Sequence, residues 1–282
     1  MTLDDLLSHL ERVRRSGNGF IALCPAHDDR KHSLSITQAD DRILLHCFVD
    51  CGIDEICDAL GIRVKDLFGA NGANTSNTQR YSDQRRLEYA ERIWRRATKP
   101  AAGTTVERYL RNRGITLSVP AAIRFCTLTH DDWPRAMHWP ALAAGIQDGN
   151  GKFTGVAVTG LTADGSSKMP VEDPRRIYGP YRGGAVRLSS QFNSQLAIGE
   201  GIETMFSVQQ ATGIPSWAAL SASNLPYVQL PASIREVTVC ADADPRGESA
   251  AQCLAGRLIG EGRQVRIARP AQFGMDFNDL RL

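Results

Sequence analysis

The chain has 282 residues, 42% of them hydrophobic, and a formal net charge of +2. That length accommodates two or three domains with a sizeable core. No apolar run approaches the ~20 residues of a membrane span, and the opening MTLDDLLSHLERV is acidic and then amphipathic, unlike a signal peptide. The expectation is a soluble, cytoplasmic protein with no membrane partner.

Leu3–Arg15 reads as a short amphipathic helix, with Leu3, Leu6, Leu7, Leu10 and Val13 on one face. Residues 20–52 then alternate like short strands (FIALC, SLSIT, RILLHC), and Asp54–Leu60 reads as a helix closed by Gly61. Two ligand pairs lie within this stretch. Cys24 and His27 are separated by two residues, Cys47 and Cys51 by three, and 19 residues lie between the pairs. Two close pairs joined by a hairpin-length spacer predict one tetrahedral zinc site of the ribbon type. All four ligands are protein groups, so no position stays open for catalysis and the zinc is structural. It also substitutes for a core that ~60 residues cannot build alone. His32, His46 and Cys57 are spare ligand types. Cys240, in an apolar strand, and Cys253, in a helix, read as core residues.

The Gly/Asn/Ser/Thr-rich stretch GANGANTSNTQR predicts a flexible linker over 69–82, dividing a first domain (1–68) from a middle one (83–194). The middle domain opens on a helix, DQRRLEYAERIWRRATK, with Leu87, Ala90, Ile93, Trp94 and Ala97 inward. Thr104 and Glu107 form a capping box for a second helix, which Gly114 ends. Residues 80–115 carry 10 Lys/Arg against four Asp/Glu. Arg85, Arg86, Arg92, Arg95 and Arg96 on the first helix are candidate contacts for the phosphates of a nucleic acid. At helical spacing, Trp94 and Tyr109 read as core. Residues 121–190 are strand-rich, with turns at DGNG and ADGSS.

From 195 onward strands and helices alternate, a βαβ pattern that predicts a parallel sheet. The fold class is therefore α+β / α/β multidomain. Three acidic clusters punctuate this last region: GEGIET with Glu200 and Glu203, CADADPRG with Asp242 and Asp244, and MDFND with Asp276 and Asp279. The first two follow apolar runs that read as strands. Carboxylates at the C-terminal ends of parallel strands converge on one crevice and repel one another unless cations lie between them. Magnesium or manganese with phosphate completes such a set, so two or more divalent ions and phosphoryl-transfer chemistry are expected. Glu200, Asp242 and Asp244 are the principal candidate ligands and catalytic residues. Asp276 and Asp279 add a further site, and Glu203 faces solvent on its helix. Gly201 and Gly247 let phosphates approach helix N-termini.

Taken together, the CPAHDDRKHSLSI…HCFVDCG segment and the acidic clusters make the chain resemble bacterial and phage DNA primases, in a stand-alone form like that of mobile elements. The N-terminal segment is similar to their zinc-binding domain. The second pair is Cys-x3-Cys here, where the family usually has Cys-x2-Cys. The C-terminal segment resembles a Toprim domain, with Glu200 at the family's glutamate, Asp242 and Asp244 at its Asp-x-Asp, and Asp276 in its third acidic element. ALSASNL resembles the stretch that primases carry between the first two motifs. LTADGSSKMPVEDPRRIYG resembles a primase element that puts Lys168 near template or nucleotide. The resemblance implies a DNA-templated RNA polymerase making short primers on single-stranded DNA from ribonucleoside triphosphates. It also implies a separate helicase or initiator as partner, since no Gly-x4-Gly-Lys-Ser/Thr motif is present. A Toprim-type nuclease, using the same carboxylates, and a non-catalytic zinc-ribbon DNA-binding protein are the competing expectations.

Overall fold

The computed structural model describes residues 1–17, 19–39, 42–49, 51–68, 75–128, 139–171, 173–189 and 194–280, the side chains of 75–82 excepted. The chain forms two compact units, Met1–Tyr81 and Ser82–Leu282. Among the described residues no helix is long and apolar enough to cross a membrane.

The first unit runs α1 (Leu3–Ser8), β1 (Arg14–Ser16), β2 (Gly19–Ala22), β3 (Leu34–Ala39), β4 (Arg42–Cys47) and α2 (Ile53–Ala59). The strands form one antiparallel sheet in sequential order. Leu6, Ala22, Leu34, Ile36 and Ile56 pack as its core. The first helix is shorter than its apolar spacing predicts. His9 caps it, and Arg12 turns into the left-handed region at φ 53°. Arg14–Ser16 then pairs with β2, so strand pairing displaces the end of the helix.

The second unit contains α3 (Thr75–Arg96) from Ser82 onward, β5 (Lys99–Pro100), α4 (Thr105–Asn112), β6 (Ile123–Thr127), β7 (Pro140–Gln147), β8 (Phe153–Gly160) and β9 (Arg175–Tyr178). Residues 69–74 of the expected linker lie outside the described residues. Its remainder is helical, because no Gly or Pro interrupts the sequence from Thr75 to Arg96. Strands β5 to β9 form an antiparallel sheet covered on both faces. Ala90, Ile93 and Ala97 of α3 pack on Ala141, Ala143, Val156 and Val158. Val106, Tyr109 and Leu110 of α4 pack with Leu142, Ala144 and Ala157. Alanines on both faces of β7 let the covering helices approach closely, and this is why PALAAGIQ reads as a continuous apolar run.

The chain continues through β10 (Val186–Arg187), β11 (Gln195–Gly199), α5 (Ile202–Thr212), β12 (Ser216–Ala218), β13 (Glu236–Cys240), α6 (Pro245–Gly260) and β14 (Gln264–Ala268). The second sheet has the order β10-β12-β11-β13-β14, with β11 to β14 parallel and β10 an antiparallel edge. Met205 and Phe206 of α5 share a core with Ala197 and Ala218, and with the middle sheet. Ala251 and Leu254 of α6 share another with Ile198, Trp217 and Val239. Helices therefore cover both faces. From β11 the chain moves outward to β12 on one side, while β13 and β14 add on the other. The switch in strand order falls between β11 and β13, and a doubly wound sheet opens its crevice at such a point. Cys240 is buried as expected, but Cys253 is exposed. It falls outside the stripe Ala250, Ala251, Leu254 and Leu258 that α6 buries.

Candidate functional site

In the first unit Cys24, His27, Cys47 and Cys51 bring their ligand atoms within 4.8 Å of one another. The hairpin explains this. Cys47 ends β4 directly opposite Leu34, and Cys24 follows β2. The edges of a tetrahedron with metal–sulfur bonds of ~2.3 Å are ~3.8 Å, so three thiols and an imidazole at this spacing suit one zinc-sized cation. Burial pushes the Cys24 thiol up to about 12, with Cys47 and Cys51 adding to the effect. Crowded thiolates of this kind need a cation. Asp29, a residue the sequence motifs do not single out, organises the knuckle. It accepts from the Cys24 N–H at 2.7 Å, from the Ser33 hydroxyl at 2.5 Å, and from the Lys31 and Ser33 N–H groups. Ser33 lies 3.4 Å from His27 Nε2 and 3.7 Å from Cys47 Sγ, an outer contact that orients ligands. The spare candidates His32, His46 and Cys57 are not part of the group.

In the second unit Glu200 directly follows β11 and Asp242 lies just after β13, on either side of the switch point. Leu220 helps shape the site. It is a buried non-glycine residue at φ 74°, and it donates its N–H to the Glu200 carbonyl at 2.9 Å. The turn that follows aims the Ala222 N–H at the Glu200 carboxylate. Asn224 locks this turn, with bonds to the Gly183 N–H and to the Gly184 and Ala219 carbonyls. The ALSASNL stretch is thus a buckle that sets the first glutamate. Burial pushes the Glu200 carboxyl up, against the pull of Arg175 and Arg246. The sequence reading did not single out either arginine: Arg175 is distant in the chain from the acidic motifs, and Arg246 sits inside the second of them, where the carboxylates drew the attention.

Asp242 is a strongly perturbed carboxylate. Burial and then the charges of Glu200, Asp276, Asp244 and Asp279 push it up to about 7. Its Oδ1 is buried without a hydrogen-bond partner among the described residues. Asp244 caps α6, accepting the Gly247 N–H at 2.7 Å. Gly247 is required by packing, since a Cβ there would stand 2.7 Å from the Asp242 carbonyl. Asp276 accepts the N–H groups of Asn278 (2.6 Å) and Asp279 (3.0 Å). Asn278 is buried and ties this turn to the Arg113 carbonyl and the Ser207 hydroxyl. The five carboxylates act on one region without closing into a tight group like the cysteine–histidine quartet. Divalent magnesium suits such an open arrangement, because it keeps waters and phosphates in its shell.

Glu203 does not face solvent. Its side chain is 14% exposed and pairs with Lys168 at 3.0 Å. It also accepts the Tyr109 hydroxyl at 2.5 Å. Burial works to raise its carboxyl, but Lys168 and Tyr109 hold it below the ordinary value. The α3 arginines are exposed and partly engaged. Arg86 bonds to the Gly179 carbonyl, Arg95 pairs with Glu91, and Arg92 lies over Tyr89. Arg85 and Arg96 are exposed on the same helix. Tyr109 is core, and Trp94 packs between Phe153 and the Arg124 guanidinium. The expected capping box of α4 is shifted, with Glu107 reaching the Gly103 N–H instead of the cap residue.

Residues 195–282 match the family model of the Toprim domain, and this part of the chain is a Toprim domain. Residues 84–188 match a domain of unknown function, DUF7146. No curated protein matches the sequence significantly. Among solved structures, a DnaG catalytic core aligns with 70% of this chain and 74% of its own, at 16% identity and a TM-score of 0.46. A DnaG primase catalytic domain bound to ssDNA aligns with 72% of this chain and 77% of its own, at 15% identity and TM-score 0.46. The Aquifex aeolicus primase (zinc-binding and RNA polymerase domains) aligns with 99% of this chain and 79% of its own, at 13% identity and TM-score 0.42.

Proposed function

We propose that the protein is a DNA primase, a DNA-templated RNA polymerase that makes short primers on single-stranded DNA. The observation that carries this reading is Asp242. It sits at the switch point with an unpartnered oxygen, amid Glu200, Asp244, Asp276 and Asp279, whose charges oppose its ionisation. In this proposal Glu200, Asp242 and Asp244 bind Mg²⁺ or Mn²⁺, and Asp276 and Asp279 contribute a further site. When bound, two such ions would activate a 3′-hydroxyl and neutralise charge on the α-phosphate under attack. The protein's own contribution is to aim these carboxylates and to offset part of the burial that opposes ionisation of Glu200. The Ala222 N–H and the Arg175 and Arg246 guanidiniums favour the charged form of Glu200, and the Gly247 N–H fixes Asp244.

Residues 1–68 serve in this reading as a DNA-contacting domain, with one structural zinc on Cys24, His27, Cys47 and Cys51. Residues 83–194 supply template contacts through Arg85, Arg86, Arg92, Arg95, Arg96 and Lys168, and residues 195–282 carry out nucleotidyl transfer. Ribonucleoside triphosphates are the substrates, and a separate helicase or initiator opens the duplex in the cytoplasm.

The deciding experiment is de novo incorporation of labelled ribonucleotides on mixed-sequence single-stranded DNA, with Mg²⁺ or Mn²⁺. Wild type and Asp242→Ala/Asp244→Ala are compared. Short products from wild type alone support the proposal. Cleavage of the DNA without products would turn the assignment to a Toprim nuclease, and binding without either activity would turn it to a non-catalytic DNA-binding protein.

A further inference from the structure

One buried oxygen joins the two halves of the second unit. Glu203 Oε1, on the first turn of α5, accepts the Tyr109 hydroxyl at 2.5 Å and faces Lys168 Nζ at 3.0 Å. Tyr109 and Lys168 belong to the region of unknown function, and Glu203 belongs to the Toprim domain. The lysine is rigidly delivered. Its backbone pairs with Leu161, and the 162–167 turn is closed by the Thr162 N–H donating to the Ser167 carbonyl and the Ser167 N–H donating to the Thr162 hydroxyl. That turn also docks on α4, where Asn112 donates to the Gly165 carbonyl at 3.0 Å.

Two observations separate Glu203 from the metal-ligand candidates. Two donors already occupy its Oε1, and a divalent cation beside the Lys168 ammonium would be repelled. Lys168 itself is not used up. An ammonium has three donors, and 44% of this side chain is exposed. The group also lies beside the acidic site. Glu203 is three residues after Glu200, and Tyr109 feels the charge of Asp276.

We propose that Glu203, backed by Tyr109, is a positioning residue that fixes the Lys168 ammonium beside the carboxylate cluster, where its remaining donors take a phosphate oxygen of the substrate. The region of unknown function thereby completes the Toprim site with a cation. The identity of the substrate rests on the polymerase reading, whereas the test reads binding and not turnover.

The sign of one substitution discriminates. If Glu203 acted only as a negative charge, Glu203→Gln would tighten binding of any polyanion. If it positions Lys168, the same isosteric change weakens binding. The full chain is titrated with a fluorescein-labelled mixed-sequence DNA oligonucleotide by anisotropy across a salt series. It is titrated separately with ribonucleoside triphosphate and Mg²⁺ by calorimetry. Lys168→Met is expected to cost about tenfold, the worth of one charge-assisted hydrogen bond, in whichever ligand supplies the phosphate. If that ligand is the DNA, the salt slope falls by about 0.7 as well. Glu203→Gln and Tyr109→Phe weaken the same ligand severalfold. Glu203→Gln then adds nothing in the Lys168→Met background.

Loss confined to the oligonucleotide titration places the phosphate in the template, and loss confined to the triphosphate titration places it in the incoming nucleotide. Tighter or unchanged binding by Glu203→Gln overturns the inference. So does an undiminished Glu203→Gln effect without Lys168, or a lowered melting temperature with binding intact. Wild type that binds a phosphate ligand through Lys168 yet makes no primers counts against the polymerase reading alone.

Discussion

The protein brings together two candidate metal sites built on opposite principles. The cysteine–histidine quartet is local and closed. Its four ligands lie within 28 residues of sequence, around one hairpin, with donor atoms inside 4.8 Å. The carboxylate cluster is distributed and open. Its members come from the ends of two parallel strands and a C-terminal turn, and they feel each other's charge without closing on a point. A closed thiol site leaves a metal nothing to do but hold the chain. An open carboxylate site is strained by its own charge until ions and phosphates enter.

The largest expected effect tests the closed site. Zinc binding to folds of this size is worth roughly 10–16 kcal/mol. Cys47→Ser, or a strong chelator, is therefore expected to unfold the first unit, seen as protease sensitivity confined to residues before about Tyr81. Chelation should release one zinc per chain. Retention of a protected first unit without metal would remove the contrast.

The open site is expected to behave in reverse. Asp242→Ala/Asp244→Ala should lower primer synthesis by about 10³-fold or more while leaving the circular dichroism spectrum unchanged. The thermal shift produced by Mg²⁺ should vanish in this variant. A collapse of the fold would mean that the carboxylates are structural.

A subtler consequence follows from the repulsion itself. Asp242 titrates near 3.8 in the unfolded chain and at about 7 in the folded one. A carboxyl raised on folding contributes stability that is complete below its unfolded value and lost as pH rises through the folded one. Metal-free protein should thus lose stability between about pH 4 and 7, and Asp242→Asn should remove that dependence and melt a few degrees higher at pH 8. If the variant melts lower, the oxygen is satisfied by some other group.

Gly247→Ala should sharpen the packing argument. The added Cβ meets the Asp242 carbonyl at 2.7 Å, and the resulting overpacking is expected to cost ~1–3 kcal/mol and to reduce Mg²⁺ affinity. The smallest effects belong to the α3 arginines. Arg92→Ala and Arg95→Ala should each weaken single-stranded DNA binding about two- to threefold, with a shallower salt dependence, because exposed cations contribute mainly through screened charge.

Sequence alone determined whatever depends on short-range spacing. The quartet was legible because Cys24-x2-His27 and Cys47-x3-Cys51 encode their own geometry. Glu200, Asp242 and Asp244 were legible because apolar strands end just before them. The parallel sheet was legible because short apolar strands are joined by helical patterns at α5 and α6, although only a single turn, Leu225–Tyr227, stands between β12 and β13. Tertiary structure alone decided whatever depends on groups distant in the chain. Glu203 read as a solvent-facing helix residue, yet Lys168 and Tyr109, 35 and 94 positions away, bury and neutralise it. Arg175, on β9, acts on the charge of Glu200 from 25 positions away in the chain. The close approach of Gly247 to the Asp242 carbonyl likewise became visible only in the fold. α1 stopped short because Arg14–Ser16 had a strand to pair with. The reason is the same in each case. Spacing fixes what a residue can do within its own turn or hairpin, while burial and charge, which decide what it does, are set by neighbours that arrive from elsewhere in the chain.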